Sequence, residues 1–168
     1  MTTIGILSDT HSYFHPALVE DLNGVDLVLH AGDVGDYGIL DGLETVAPVR
    51  AVWGNIDDYG TRRRLEEHER FTVDGLDVWM THIAGRPGKW QRGMGERLAD
   101  DPPDVFVCGH SHILRVERVE ALGNMLYVNP GAAGRHGFHE RKTCVRLAVE
   151  DGAAAQMDVI HLDAEADS

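Results

Sequence analysis

The sequence predicts an α/β fold of two packed β-sheets with helices outside, and three observations carry that prediction. Short strand-like runs alternate with helix-patterned segments through the first part of the chain. Those runs are continuously apolar, as parallel strands buried on both faces are. Further along, the pattern changes to strands separated by glycine-containing turns.

Taken in order, residues 4–8 form an apolar strand, and 15–23 has helical spacing through Leu18, Val19 and Leu22. Residues 26–31 (DLVLHA) read as a second buried strand. Ile39, Leu40 and Leu43 share one face of a helix over 37–46, and 49–53 is a third strand. Residues 70–74 and 77–81 flank Gly75 as the arms of a hairpin. A helix over 89–99 ends at the breaker Asp100-Asp101-Pro102-Pro103. Residues 105–108 are another buried strand, followed by a strand meander over 114–121, 125–129, 143–150 and 156–162. A length of 168 residues suits one domain over 1–162, with an acidic tail over 163–168 expected to be disordered.

The formal charge of −13 argues against long nucleic acids and against an anionic membrane surface, both of which need a basic face. Cys108 and Cys144 fall in strand-like runs and read as free buried thiols. The N-terminus lacks a basic region followed by an apolar leader, and no apolar run approaches spanning length, so a cytoplasmic protein is expected. Trp90 and Tyr127 are candidate contacts of a homodimer.

Five segments at predicted strand ends supply seven metal-ligand side chains: Asp9-x-His11, Gly32-Asp33, Gly54-Asn55, Thr81-His82 and Gly109-His110-Ser111-His112. Oxygen and imidazole donors of this kind suit a borderline divalent ion, and seven is one more than a single octahedral shell takes. In extended backbone the one-residue gaps would point Asp9 and His11 to one face, and likewise His110 and His112. Asp33 can bridge two cations with its two oxygens. Each motif alone is common, since Gly-Asp and Gly-Asn mark ordinary turns. Their joint occurrence in order at strand ends favours a metal pair. The remaining histidines are given bland roles: His30 buried beside the site, His15 and His68 at the surface or a helix start, and His161 in the last strand. Arg135, His136 and His139 follow the Asn129-Pro130-Gly131 turn in a loop that can reach a substrate.

This ordered set closely resembles the calcineurin-like metallophosphoesterase superfamily over residues 4 to about 135, and within it the small prokaryotic phosphodiesterase branch. The resemblance implies a four-layer α/β/β/α sandwich with a dinuclear centre. It implies that Asp9, His11, Asp33 and His112 hold one ion, and that Asp33, Asn55, His82 and His110 hold the second. Two divalent ions are expected, manganese first, with iron, zinc, nickel or cobalt as alternatives. Relatives in the larger branches carry histidine after Gly-Asn, where it orients the phosphate or protonates the leaving group. This chain has Ile56 there, followed by Asp57. The expected activity is therefore hydrolysis of a small phosphodiester by metal-bound hydroxide. Asp33, Asn55, His82 and Asp57 are its candidate catalytic set, with Asp57 orienting a ligand from behind, and Arg135, His136 and His139 are the substrate contacts. Two alternatives stand beside it: a phosphomonoesterase or nucleotide phosphatase of the same fold, and a non-catalytic scaffold like the retromer subunit.

Overall fold

The computed structural model describes residues 1–139 and 141–162, so the predicted acidic tail lies outside the described residues. Strands β1 (Thr2–Leu7), β2 (Leu27–His30) and β3 (Val49–Ala51) pair in parallel, joined through helices α1 (Leu18–Asp21) and α2 (Gly38–Glu44). Helix α3 (Tyr59–Arg64) then leads to the hairpin β4 (His68–Val73) and β5 (Leu76–Thr81), which turns at Gly75 as expected. A short ribbon, β6 (Gly85–Arg86) and β7 (Lys89–Trp90), precedes α4 (Met94–Asp100) and β8 (Val105–Val107). The chain ends with β9 (Arg115–Val119), β10 (Met125–Asn129), β11 (Thr143–Glu150) and β12 (Ala153–His161).

Two five-stranded mixed sheets result, ordered β12-β11-β1-β2-β3 and β4-β5-β8-β10-β9. The four late strands are thus not one meander. β9 and β10 stay in the second sheet, whereas β11 crosses to pair antiparallel with β1. The pairing of β1 on both edges explains its uninterrupted apolar character.

Alternation along each strand builds the layers, because successive side chains take opposite faces. Ile4 and Ile6, Val78 and Met80, Val105 and Val107, Leu126 and Val128, and Val145 and Leu147 meet between the sheets. Leu7, Val28 and Cys144 face outward against Leu18, Leu22, Leu40 and Leu43 of α1 and α2. Trp79, Phe106 and Tyr127 face the other way, against Met94 and Leu98 of α4. Three apolar layers between helix, sheet, sheet and helix confirm the four-layer expectation. A Cβ on Gly5 would lie 2.9 Å from Leu22 Cδ2, so glycine there lets α1 approach β1 closely.

Several expectations need correction. Tyr127 is 2% exposed and belongs to the core, so it offers no dimer contact, and Trp90 is half-buried. His15 is buried. The helix expected over 89–99 begins only at Met94, because Pro87-Gly88 folds residues 85–90 into the ribbon. Both cysteines are free and buried, and burial pushes each thiol up to about 12, leaving them unreactive. Among the described residues no helix is long and apolar enough to cross a membrane.

Candidate metal centre

All five ligand-bearing segments lie in loops that leave the ends of β1, β2, β5 and β8 or follow β3, the edge where open α/β sheets place their sites. The backbone there is not extended, contrary to the sequence expectation. Asp9, His11, Ser12, Asp33, His110 and His112 all have positive φ, between 45° and 72°. Such conformations cost non-glycine residues about 1–3 kcal/mol each and concentrate at functional sites. The left-handed turns also send neighbours apart. His110 joins Asp33 and His82 in one cluster, and His112 joins Asp9 and His11 in another.

Asp33 and Asp9 tie the clusters together. Asp33 Oδ2 lies 3.4 Å from His11 Nε2 and 3.2 Å from His82 Nε2. Asp9 Oδ1 lies 3.2 Å from His112 Nε2, 3.8 Å from His11 Nε2 and 3.7 Å from His82 Nε2. Donors about 2.0–2.2 Å from a divalent ion are spaced roughly 3 Å apart, so these separations fit shared coordination. The far oxygen of each carboxylate is anchored. Asp9 Oδ2 accepts from Ser8 Oγ at 2.7 Å and the His110 amide at 3.1 Å, and Asp33 Oδ1 accepts from the Ile56 amide at 3.0 Å. Asp33 Oδ2 thus faces histidines of both clusters, while Oδ1 is held by the Ile56 amide. Asp9 Oδ1, His11 Nε2 and His82 Nε2 are buried with no hydrogen-bond partner. Orphaned buried polar atoms are costly, and two imidazole nitrogens converging with Asp9 Oδ1 in this way fit a cation site.

Backbone carbonyls and neighbouring side chains fix the imidazoles. His82 Nδ1 donates to the Ala31 carbonyl at 2.7 Å, which leaves Nε2 as the ligand atom. His139 Nε2 donates to the Gly134 carbonyl at 2.7 Å, so its Nδ1 accepts from His112 Nδ1 at 3.3 Å. His139 thus holds His112 from behind, a contact the sequence reading did not foresee. Asn55 Oδ1 accepts from His110 Nδ1 at 3.0 Å and joins the centre through that imidazole. His30 is fully buried, bonded to Thr10 Oγ1 at 2.9 Å, and burial lowers its pKa to about 4, so it stays neutral beside the site as expected.

The electrostatics follow from burial opposed by close charges. Burial would raise the Asp9 pKa, but the close imidazoles of His11 and His112 and the charge of His82 hold it far below the carboxylate range. Asp33 is lowered in the same way, burial being outweighed by His82. Burial would lower His82, yet Asp33 and Asp9 raise it, and the Asp9 contact raises His112. His110 is lowered, by burial and then by the charge of His82. The carboxylates are therefore ready ligands, and protons compete with a metal mainly at His82 and His112.

Close packing fixes the loops. A Cβ on Gly32 would lie 2.7 Å from His82 Nδ1, and one on Gly54 would collide with the Asp33 carboxylate and amide. Asp57 does not touch a ligand side chain. Its carboxylate accepts from the Val34, Gly35 and Gly54 amides at 3.2, 2.8 and 2.8 Å, stapling the Asp33 loop to the Asn55 loop. Asn129 anchors the histidine pair, donating to the Gly109 carbonyl at 3.1 Å and Ser111 Oγ at 3.0 Å.

The centre opens into a cleft of about 800 Å³. His136 stacks on His11 at 4.7 Å and lines it, as does His139. Arg135 does not: its guanidinium lies 4.0 Å over the Tyr13 ring, a cation–π contact that turns it away. Arg141 is the cationic wall instead, and sequence reading missed it because no motif surrounds it. Ile56 is 45% exposed and lines the cleft.

Comparison with known proteins gives consistent matches. The model of the calcineurin-like phosphoesterase superfamily domain matches residues 2–152. A probable metallophosphoesterase of Methanothermobacter thermautotrophicus is 35% identical, covering 96% of this chain and 90% of that one. Among solved structures, an archaeal phosphodiesterase superposes with a TM-score of 0.75 at 21% identity, covering 95% of this chain and 99% of that one. Vps29 of Entamoeba histolytica, solved with zinc, gives 0.73 at 19% identity, covering 96% and 99%.

Proposed function

This chain belongs to the calcineurin-like phosphoesterase superfamily, and on that premise we propose that it hydrolyses a small phosphodiester with two divalent ions, manganese first among them. The observation that supports this most is that two buried, unpartnered imidazole nitrogens, His11 Nε2 and His82 Nε2, each lie 3.2–3.8 Å from both Asp33 Oδ2 and the unpartnered Asp9 Oδ1. Asp9, His11 and His112 would hold one ion and Asp33, His82, His110 and Asn55 the other, with Asp33 shared. Bound there, the ions polarise phosphoryl oxygens and lower the pKa of water toward neutrality.

The chain's own residues set the substrate class. Among the described residues Asp9 and Asp33 are the two carboxylates in the clusters, and the other donors are imidazoles and one amide. They leave positive charge for an anionic diester to neutralise. Arg141 and His136, on the cleft wall, would hold the phosphate. Ile56 can neither donate a proton nor orient an oxygen, so the leaving group must depart without an acid at that position. A scaffold needs none of these donors, and the chain keeps all seven.

The test compares bis(p-nitrophenyl) phosphate with p-nitrophenyl phosphate, which share a leaving group, on metal-free protein resupplied with manganese. The diester is expected to be preferred about tenfold or more. Ile56→His should raise turnover of a nucleoside 5′-monophosphate, whose poor leaving group needs a proton, by about tenfold or more, the lower part of what a general acid supplies. A wild type that strongly prefers the monoester overturns the reading.

A further inference from the structure

A second cavity, of about 370 Å³, adjoins the metal cleft, because His110, Ser111 and Ile113 form walls of both. Its charged walls include Arg86, Lys89 and Arg115, and among the described residues no carboxylate lines it, in a chain of net charge −13. Arg115 is neutralised by Glu117 at 2.6 Å. Arg86 and Lys89 have no ion pair among the described residues.

Backbone pairing sets those two cations opposite each other, Arg86 against Lys89 across β6 and β7. Like charges directly opposite on a ladder are destabilising, and this ribbon is too short to absorb the cost by itself. Its frame is nonetheless held firmly. Tyr127 Oη donates to the Gly85 carbonyl at 2.7 Å, Gln91 N donates to the Ala84 carbonyl at 2.9 Å, and Trp90 packs edge-on against Tyr127 at 5.7 Å. The ribbon therefore presents two exposed cations without ion-pair partners, on a fixed backbone, beside the candidate metal centre, where an anion can reach them.

We propose that this cavity binds a terminal phosphate monoester of the substrate, which is then a small phosphodiester carrying a second phosphate. The proposal rests on the phosphodiesterase reading of the neighbouring centre. A phosphate monoester brings about −1.5 to −2 charge near pH 7, enough to neutralise both cations, where a carboxylate brings one. The Arg86 guanidinium matches phosphate geometry, and Ile83 and Ile113 offer apolar walls for the sugar or base between the two phosphates.

The experiment uses the manganese-loaded protein and two esters: the p-nitrophenyl ester of thymidine 5′-phosphate, and the same ester with a 3′-phosphate. Wild type is expected to favour the 3′-phosphorylated ester in kcat/KM by about tenfold or more, the size of one charge-assisted contact. The double variant Arg86→Gln, Lys89→Gln is expected to bring that ratio to about one. Equal rates in wild type, or an unchanged ratio in the double variant, overturn the subsite. If neither ester is turned over, the phosphodiesterase reading fails by itself. Calorimetry with thymidine 3′,5′-bisphosphate and thymidine 5′-monophosphate then decides the subsite. Tighter binding of the bisphosphate in wild type, lost in the double variant, supports it, and equal binding overturns it.

Discussion

Asp33→Ala is expected to abolish metal binding and hydrolysis together. Asp33 Oδ2 is the atom placed between His11 Nε2 at 3.4 Å and His82 Nε2 at 3.2 Å, so its loss opens both clusters at once. It also leaves two buried imidazole nitrogens facing Asp9 alone. Losing a group that merely supports a ligand costs about 10–100-fold in affinity or activity, and losing the shared ligand should exceed that range. Asp33→Asn separates chemistry from folding, because the amide keeps the shape and the acceptor for the Ile56 N–H. Both variants should retain a cooperative thermal transition without metal, while calorimetric titration with manganese shows affinity reduced by more than about 100-fold. Manganese-dependent turnover retained in Asp33→Ala contradicts the bridging role.

Gly54→Ala should damage the site almost as severely through a single methyl group. A Cβ there collides with the Asp33 side chain and amide, and the backbone has no freedom to retreat. Asp57 binds the Gly54 amide and the Val34 and Gly35 amides at the same time, so moving one loop strains the other. Overpacking of this kind costs about 1–3 kcal/mol. Relief by displacing Asp33 would weaken manganese binding by about tenfold or more, because a shift of one ångström in a site geometry is costly. Gly60→Ala is the matched control. Gly60 lies in α3, where the nearest atom to a new Cβ is Asp58 Oδ1 at 3.5 Å, and alanine favours a helix by up to about 1 kcal/mol. Thermal melts and manganese titrations of the pair should diverge, Gly54→Ala falling and Gly60→Ala holding or rising.

Strand faces were legible in the sequence because burial on a strand has period two. Ile4 and Ile6 face the space between sheets, Leu7 faces the helices, and the apolar run 4–8 requires both. Helix α3 escaped detection because Tyr59–Arg64 carries no apolar stripe. It is held by the Asp58 cap on the Thr61 amide at 2.9 Å, and by arginines stacked on aromatic rings, Arg62 over Trp53 at 4.3 Å and Arg64 over Tyr37 at 3.5 Å. The ligand types and their order at strand ends were equally plain. Their division into two clusters came from the family resemblance and not from the spacing, because it depends on left-handed turns and on contacts such as the His110 amide to Asp9, 101 residues apart. Arg135 was misread for a similar reason: only the fold brings Tyr13 beneath it.

The most direct test of a shared dinuclear hydrolytic centre is one titration. Manganese is added stepwise to metal-free protein while hydrolysis of bis(p-nitrophenyl) phosphate is followed. Activity should rise until about two ions are bound per chain, as the two clusters joined by Asp33 require. Full activity at one ion per chain, or none at any manganese level, contradicts the account.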